Sequence, residues 1–146
     1  MIKKKGNVLR TIGYAVIAAL SGLLLNIAIN HSGLMELFPA YATDFEPVLE
    51  RYDLYTGILI FVIIAPLAEE AVFRLFLFNF LEKKLGFMPS AVISSLVFGI
   101  YHMNVIQFIY AFLMGLLFAY FYHKDHRFTV PYIMHLSANA AVYLLL

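Results

Sequence analysis

The apolar positions of this chain do not alternate with polar ones at the period of a strand, nor at that of a half-buried helix. They gather into four long blocks separated by short polar breaks. The first block, Val8 to Ile29, holds 22 residues with one charge, Arg10, near its edge. A helix needs roughly 20 apolar residues to cross the hydrocarbon core of a bilayer, so the block predicts a membrane helix over 8–29. Lys3, Lys4 and Lys5 precede it, as they would precede a signal peptide, but its length and the lack of an obvious small-residue cleavage site predict a retained anchor. The second block, Leu54 to Leu81, carries no charged side chain and no histidine except Glu69, Glu70 and Arg74 near its middle. The third, Phe87 to Tyr122, is interrupted only by His102-Met103-Asn104 and Gln107 and is too long for one crossing, which divides it into helices over about 88–102 and 105–122. The last, about 130–146, has Pro131 near its first helical position, where a missing N–H costs least. The pattern predicts an all-α, polytopic membrane helix bundle with about five transmembrane helices. It reads as a single domain over 1–146, with a core over about 54–146 preceded by the anchor helix.

Composition agrees with a membrane setting: 63% of the 146 residues are hydrophobic and 13% charged, with a mean hydropathy of +0.85, too apolar for an ordinary soluble domain. Charge adds an orientation. Lys3, Lys4, Lys5, Arg10, Lys83, Lys84, Lys124 and Arg127, eight of the ten basic residues, fall on one side of the predicted spans. The loop over about 30–53 carries Glu36, Asp44, Glu46, Glu50 and Asp53 against a single Arg51. Basic loops stay cytoplasmic, which predicts a multi-pass protein of the cell membrane with its N-terminus in the cytoplasm. No basic stripe and no Gly-rich phosphate loop points to nucleic acid. The absence of Cys removes disulfides, thiolate metal ligands and thiol catalysis together. Tyr41, Tyr52, Tyr55, Tyr120, Tyr122 and Tyr132 fall near predicted interfaces, where such rings act as anchors. His123 and His126 fall in the basic loop and are expected to be solvated.

The acids of the second block need an explanation, because an ionisable residue near the centre of a membrane helix costs at least ~2.5–3.5 kcal/mol on insertion scales and normally faces a bundle interior or a wet cavity. Glu70 and Arg74 are four apart with the acid first, the favourable order for an ion pair on one helical face. Glu69, rotated about 100° around the helix, is left without a local partner. Pro66, one turn earlier, removes a backbone hydrogen bond and is expected to kink the helix. Glu69, Glu70 and Arg74 also fit an inert buried ion network that holds helices together, a reading that suits Glu70 and Arg74 better than Glu69. Two histidines occupy comparable apolar settings: His102 shares a face with Phe98, and His135 with Asn139. A glutamate, two histidines and an amide facing one cavity would supply a general base, a second proton carrier and donors for an oxyanion. Counted along the helices from their basic ends, Glu69 lies ~18 Å deep, His102 ~22 Å and His135 ~7 Å, so a shared site requires tilt or an earlier start to the last helix.

These residues resemble the motifs of the CPBP family, which contains the CAAX prenyl endopeptidases, bacteriocin-processing and self-immunity proteins, and Abi proteins. The family pattern EExxxR reads here Glu69-Glu70-Ala71-Val72-Phe73-Arg74, FxxxH reads Phe98-Gly99-Ile100-Tyr101-His102, and HxxxN reads His135-Leu136-Ser137-Ala138-Asn139. All three occur in order on separate predicted membrane helices, and the likeness covers about Leu59 to Ala141. The resemblance implies an intramembrane glutamic-type peptidase in which Glu69 is the base and His102 its partner in activating water. His135 and Asn139 would stabilise the oxyanion, with Glu70 and Arg74 supporting. It implies no cofactor and no metal, a peptide or membrane-protein substrate in the lipid bilayer, and no nucleic acid. Family members usually carry more membrane helices, so the chain reads as a minimal version or as one that completes its bundle as a homo-oligomer.

A zinc peptidase built on two histidines and a carboxylate is the nearest rival, although HExxH is absent. Serine catalysis through Ser94, Ser95 or Ser137 lacks a GxSxG elbow, and small serines between membrane helices usually serve packing. A different class stays open: a non-catalytic immunity or partner-binding protein in which the polar cluster supports an interaction.

Overall fold

The computed structural model describes residues 8–39 and 51–145. Lys3, Lys4, Lys5, Tyr41, Asp44, Glu46, Glu50 and Leu146, which entered the expectations above, lie outside the described residues. The fold is all-α among the described residues: α1 (Val8–His31), a single-turn α2 (Leu34–Leu37), a long helical run α3 over 54–85, α4 (Phe87–Tyr101), α5 (Val105–Asp125) and α6 (Thr129–Leu145). The expected elements are present with shifted ends. The largest difference is α3, which continues through Asn79–Leu85 instead of stopping at Leu81. It ends at Gly86, whose φ of 77° lies in the left-handed region that glycine adopts without steric cost, so the chain turns directly into α4.

Local chemistry sets the helix starts. The Asp53 side chain accepts from the N–H groups of Tyr55 and Thr56 and from the Thr56 hydroxyl, and that hydroxyl holds the Asp53 carboxyl below its usual range. The Asn104 side chain accepts from Ile106 and Gln107 N–H at the start of α5, satisfying donors that the first turn leaves open.

α3 is not a uniform α-helix. Leu54–Gly57 leads into a π-helical stretch, Ile58–Ile64; a short α segment, Ala65–Glu70, is followed by a second π stretch, Ala71–Phe78. Pro66 explains the first. A proline ring clashes with the carbonyl four residues back and donates no hydrogen bond, and the wider i→i−5 turn relieves that clash. Helix continues through Pro66, so the expected kink takes the form of a change of helical register.

α3, α4, α5 and α6 form the ring of the bundle: the later half of α3 packs on α4, α4 on α5, α5 on α6, and α6 on the earlier half of α3. α1 lies mainly on α6, with a smaller contact on α5. Gly22 makes this approach possible, since a Cβ there would lie 3.2 Å from the Ala138 Cβ and 2.8 Å from the Tyr110 hydroxyl. Ala18, Met114, Phe118, Val130, Met134 and Ala138 fill the space between α1, α5 and α6, while Phe78, Ala91, Ala119 and Tyr122 fill that between α3, α4 and α5. Large apolar side chains cover the outside: Leu9 and Leu24 on α1, Phe76 on α3 and Ile100 on α4 are all more than 60% exposed. Lipid, not water, suits that surface, and α1 and α5 are each long and apolar enough to cross a membrane. The molecule is a membrane helix bundle.

At one end, buried Asp125 is held by Arg10 at 2.8 Å and by Arg127, whose Nη2 also reaches the Thr11 hydroxyl. Glu82 pairs with His123 there, and the ring of His123 stacks on Phe87. Two expectations change as a result. His123 is paired with Glu82 and stacked on Phe87 while 40% of its side chain stays exposed, and Tyr122 is buried, packed on Phe78 with its hydroxyl accepting from Asn79 at 2.7 Å, so it is no interfacial anchor.

Candidate active site

The centre of the ring is polar. Glu70 and Arg74, on adjacent turns of α3, are both fully buried, with 3.3 Å between Arg74 Nε and Glu70 Oε2. That distance makes an ion pair without hydrogen-bond geometry. Arg74 Nη2 donates to the Gly115 carbonyl at 3.2 Å, and the guanidinium lies 4.9 Å from the centre of the Phe98 ring and 5.8 Å from that of Phe118. Gly115 lets α5 come this close: a Cβ at that position would sit 3.1 Å from Ser95 Cβ and 3.2 Å from Arg74 Nη2. Ser90 and Ser94 hydrogen-bond to carbonyls of their own region, Gly86 and Ala91, and Ser95 packs on Gly115, so these serines serve packing.

His135 on α6 joins the two acids. Its Nδ1 lies 2.9 Å from Glu70 Oε1 and its Nε2 lies 3.6 Å from Glu69 Oε2. A carboxylate only accepts, so with Glu70 ionised Nδ1 carries a proton and donates it to Glu70. The other ring nitrogen then faces Glu69. The His135 ring stacks on Phe118 with 5.0 Å between centroids and meets Phe98 edge-on at 5.7 Å. Glu69 is therefore not isolated, as its sequence neighbours suggested; its partner arrives from 66 residues further along the chain. The expected mismatch in depth does not keep the two apart. α6 starts only one residue earlier than expected, so an earlier start of α6 is not what brings His135 to Glu69.

His102 caps the end of α4, where its Nδ1 lies 2.8 Å from the Phe98 carbonyl. A carbonyl accepts only, so Nδ1 donates and Nε2 remains as the acceptor of the neutral ring. Phe98 separates the two histidines, its ring 5.0 Å from His102 and 5.7 Å from His135. Asn139 lies one turn beyond His135, and its Nδ2 donates to the Phe61 carbonyl on α3 at 3.0 Å. Glu69, Glu70, Arg74 and His135 thus form one contact group, with His102 beside it across Phe98 and Asn139 engaged with backbone. Among the described residues, no three His, Asp or Glu side chains are grouped so as to hold a metal ion.

The residues missed from sequence are Phe118, which supports both Arg74 and His135, and Gly115, whose carbonyl receives Arg74. An isolated glycine in the apolar α5 pattern is a signal of close approach, but which side chain approaches depends on packing.

The family model described as "Type II CAAX prenyl endopeptidase Rce1-like" matches residues 52–141, more than half of the chain and all three motif segments. The chain belongs to this family. Among curated relatives, it is 35% identical over 85 residues to YdiL of Bacillus subtilis (strain 168), whose name includes the words membrane peptidase; the match covers 58% of this chain and 35% of that protein. It is 36% identical over 87 residues to "Membrane-embedded CAAX protease MroQ" of Staphylococcus aureus (strain USA300), covering 55% of this chain and 35% of that one. The chain therefore spans about a third of the length of these relatives. No solved structure matches it. The family match begins at Tyr52 and so covers the polar centre and the helices that build it, leaving out α1.

Proposed function

We propose that the chain is an intramembrane peptidase that hydrolyses a peptide bond with water activated by Glu69 and His102. The observation that carries this reading is the convergence of Glu69 and His135 above a fully buried Glu70–Arg74 pair, in a member of a family of membrane endopeptidases. Glu69 retains partial access, with 15% of its side chain exposed, whereas Glu70 has none. In the proposed cycle Glu69 takes a proton from water, and the oxygen attacks the scissile carbonyl. His102, with Nδ1 committed to Phe98, accepts the second hydrogen of the same water at Nε2 and orients it, and the proton taken up by Glu69 passes to the leaving nitrogen as the C–N bond breaks. His135 is held by Glu70 through Nδ1–H and, as an imidazolium with both nitrogens protonated, donates Nε2–H to the developing oxyanion. At 3.6 Å that nitrogen is beyond hydrogen-bond distance of Glu69, so an oxygen can compete for it. Asn139, one turn beyond His135, supports the site through its hydrogen bond to the Phe61 carbonyl. Glu70 and Arg74 support the site. The substrate is a peptide or membrane-protein segment that reaches the centre of the bundle within the lipid bilayer, and the N-terminus faces the cytoplasm.

Glu69→Gln tests the base, because it keeps size and most hydrogen bonds while removing the proton acceptor. Cleavage of a verified membrane-peptide substrate is expected to fall by roughly 10²-fold or more, in line with general-base contributions, with the fold retained in detergent. Prolonged chelation is expected to leave the parental rate unchanged. A Glu69→Gln protein that cleaves at the parental rate overturns the assignment and leaves the polar cluster as the architecture of an immunity or partner-binding protein. Zinc that tracks activity on removal and return favours the metallopeptidase.

A further inference from the structure

Pro66 leaves one backbone carbonyl of α3 without a donor from its own helix. In α-helical register the Phe61 carbonyl would receive the N–H of Ala65; here that N–H goes to the Ile60 carbonyl, five residues back. In π register the donor to Phe61 would be residue 66, which is proline and has no N–H. Both registers therefore fail at the same carbonyl, and at membrane depth there is no bulk water to serve it. The Asn139 amide occupies that position, donating from Nδ2 at 3.0 Å across the α3–α6 contact. Pro66 is buried and Asn139 half-buried. Asn139 is one turn from His135, which faces Glu69 and Glu70; Phe61 is eight and nine residues before those acids, with Pro66 between. The two helices are thus tied at two levels: a charged contact between His135 and the turn that carries Glu69 and Glu70, and a neutral one between Asn139 and Phe61, about two turns earlier on α3.

We infer that Asn139 is a positioning residue: its side-chain amide replaces the backbone donor that Pro66 removes, and so sets the π register and rotation of α3 that turn Glu69 toward His135. Pro66 and Asn139 are one device in two helices. Proline opens the turn, and the amide from α6 closes the hydrogen bond that proline leaves unmade. The consequence for turnover rests on the reading of Glu69 as base; the hydrogen-bond replacement does not.

A double-mutant cycle on the full chain separates these roles. Asn139→Ala strands the Phe61 carbonyl and is expected to lower the melting temperature in detergent by on the order of 5 °C. It is also expected to lower kcat by about 10- to 10²-fold, the cost of a small misplacement of a reacting group, with KM little changed. Pro66→Ala restores an N–H: in π register residue 66 serves Phe61, and in α register Ala65 does. Pro66→Ala/Asn139→Ala is therefore expected to recover most of the melting temperature and a large part of kcat. Additive loss of melting temperature in the double variant overturns the replacement of the backbone donor. Recovered stability with kcat still at the Asn139→Ala level overturns the positioning role and assigns Asn139 to direct contact with the oxyanion. The stability arm reads the coupling even if no substrate is cleaved, so failure of the peptidase reading and failure of this inference give different results.

Discussion

Arg74 shows how a guanidinium can sit in the middle of a membrane helix bundle. Its charge is met by Glu70, one donor by the Gly115 carbonyl, and its faces by the Phe98 and Phe118 rings. Planarity is what allows a side chain to use all of these at once, and Lys would lose the stacking and the fork. Glu70 in turn divides its two oxygens between Arg74 and His135, so it orients the histidine as well as neutralising the arginine. Arg74→Ala removes one partner of this buried pair and is expected to cost about 3–5 kcal/mol, the penalty of an uncompensated buried charge. Glu70→Gln combined with Arg74→Ala is expected to recover a substantial part, since no lone charge is left. Denaturation midpoints of both variants in detergent check this; a double variant no more stable than Arg74→Ala would show that the loss comes from packing on the two rings.

At the scale of elements, α3 does two jobs that ask for different geometry. Its later half, through Phe78 and Leu85, packs on α4, while its earlier half meets α6 closely enough that Gly57 abuts Tyr143. A Cβ at Gly57 would lie 1.8 Å from the Tyr143 hydroxyl oxygen and 2.7 Å from the ring carbon bearing it. Tyr143 also faces Phe61, with 6.1 Å between ring centroids, so this contact sits one turn from the turns that Asn139 ties. Gly57→Ala is expected to destabilise the bundle by about 1–3 kcal/mol through overpacking. Tyr143→Leu, which removes the clashing end of the ring, is expected to relieve it when the two are combined. Thermal unfolding of the two single variants and the double one checks the coupling, and strictly additive losses would contradict it.

For the whole molecule, the decisive asymmetry is between its two ends. Arg10, Asp125 and Arg127 tie α1 to the α5–α6 connection, and Glu82 with His123 ties the end of α3 to the end of α5. Lys83, Lys84 and Lys124 adjoin these same termini. Basic residues are therefore gathered at one end of the bundle, while Asp53 and Asn104 cap helices at the other. The positive-inside rule then predicts the basic end in the cytoplasm. The chain has no native Cys, so single cysteines can report it. A cysteine at Lys124 is expected to label from the cytoplasmic side and one at the exposed Tyr55 from outside; labelling at Lys124 only from outside would invert the topology.

Helices, the lipid-facing surface and the Glu70–Arg74 pair were legible in the sequence because each depends on local order. An apolar block of sufficient length must satisfy its backbone internally, and residues four apart on one helix meet whatever surrounds them. The motif residues could likewise be picked out one by one, since charge and imidazole within apolar blocks stand out. What no local rule supplied was their pairing. Glu69 looked partnerless because its partner, His135, lies on another helix. Asn139 looked like a free donor because the carbonyl that takes it is released by Pro66, whose effect on hydrogen-bond register depends on how α3 relaxes. Phe118 was indistinguishable from other apolar residues, and Gly115 signalled a close approach without naming the side chain that makes it, until α5 was laid against α3 and α6. Spacing along one helix determines which side chains share a face; the close approach of α3, α5 and α6 decides which faces meet, because it depends on the summed packing of side chains far apart in the chain.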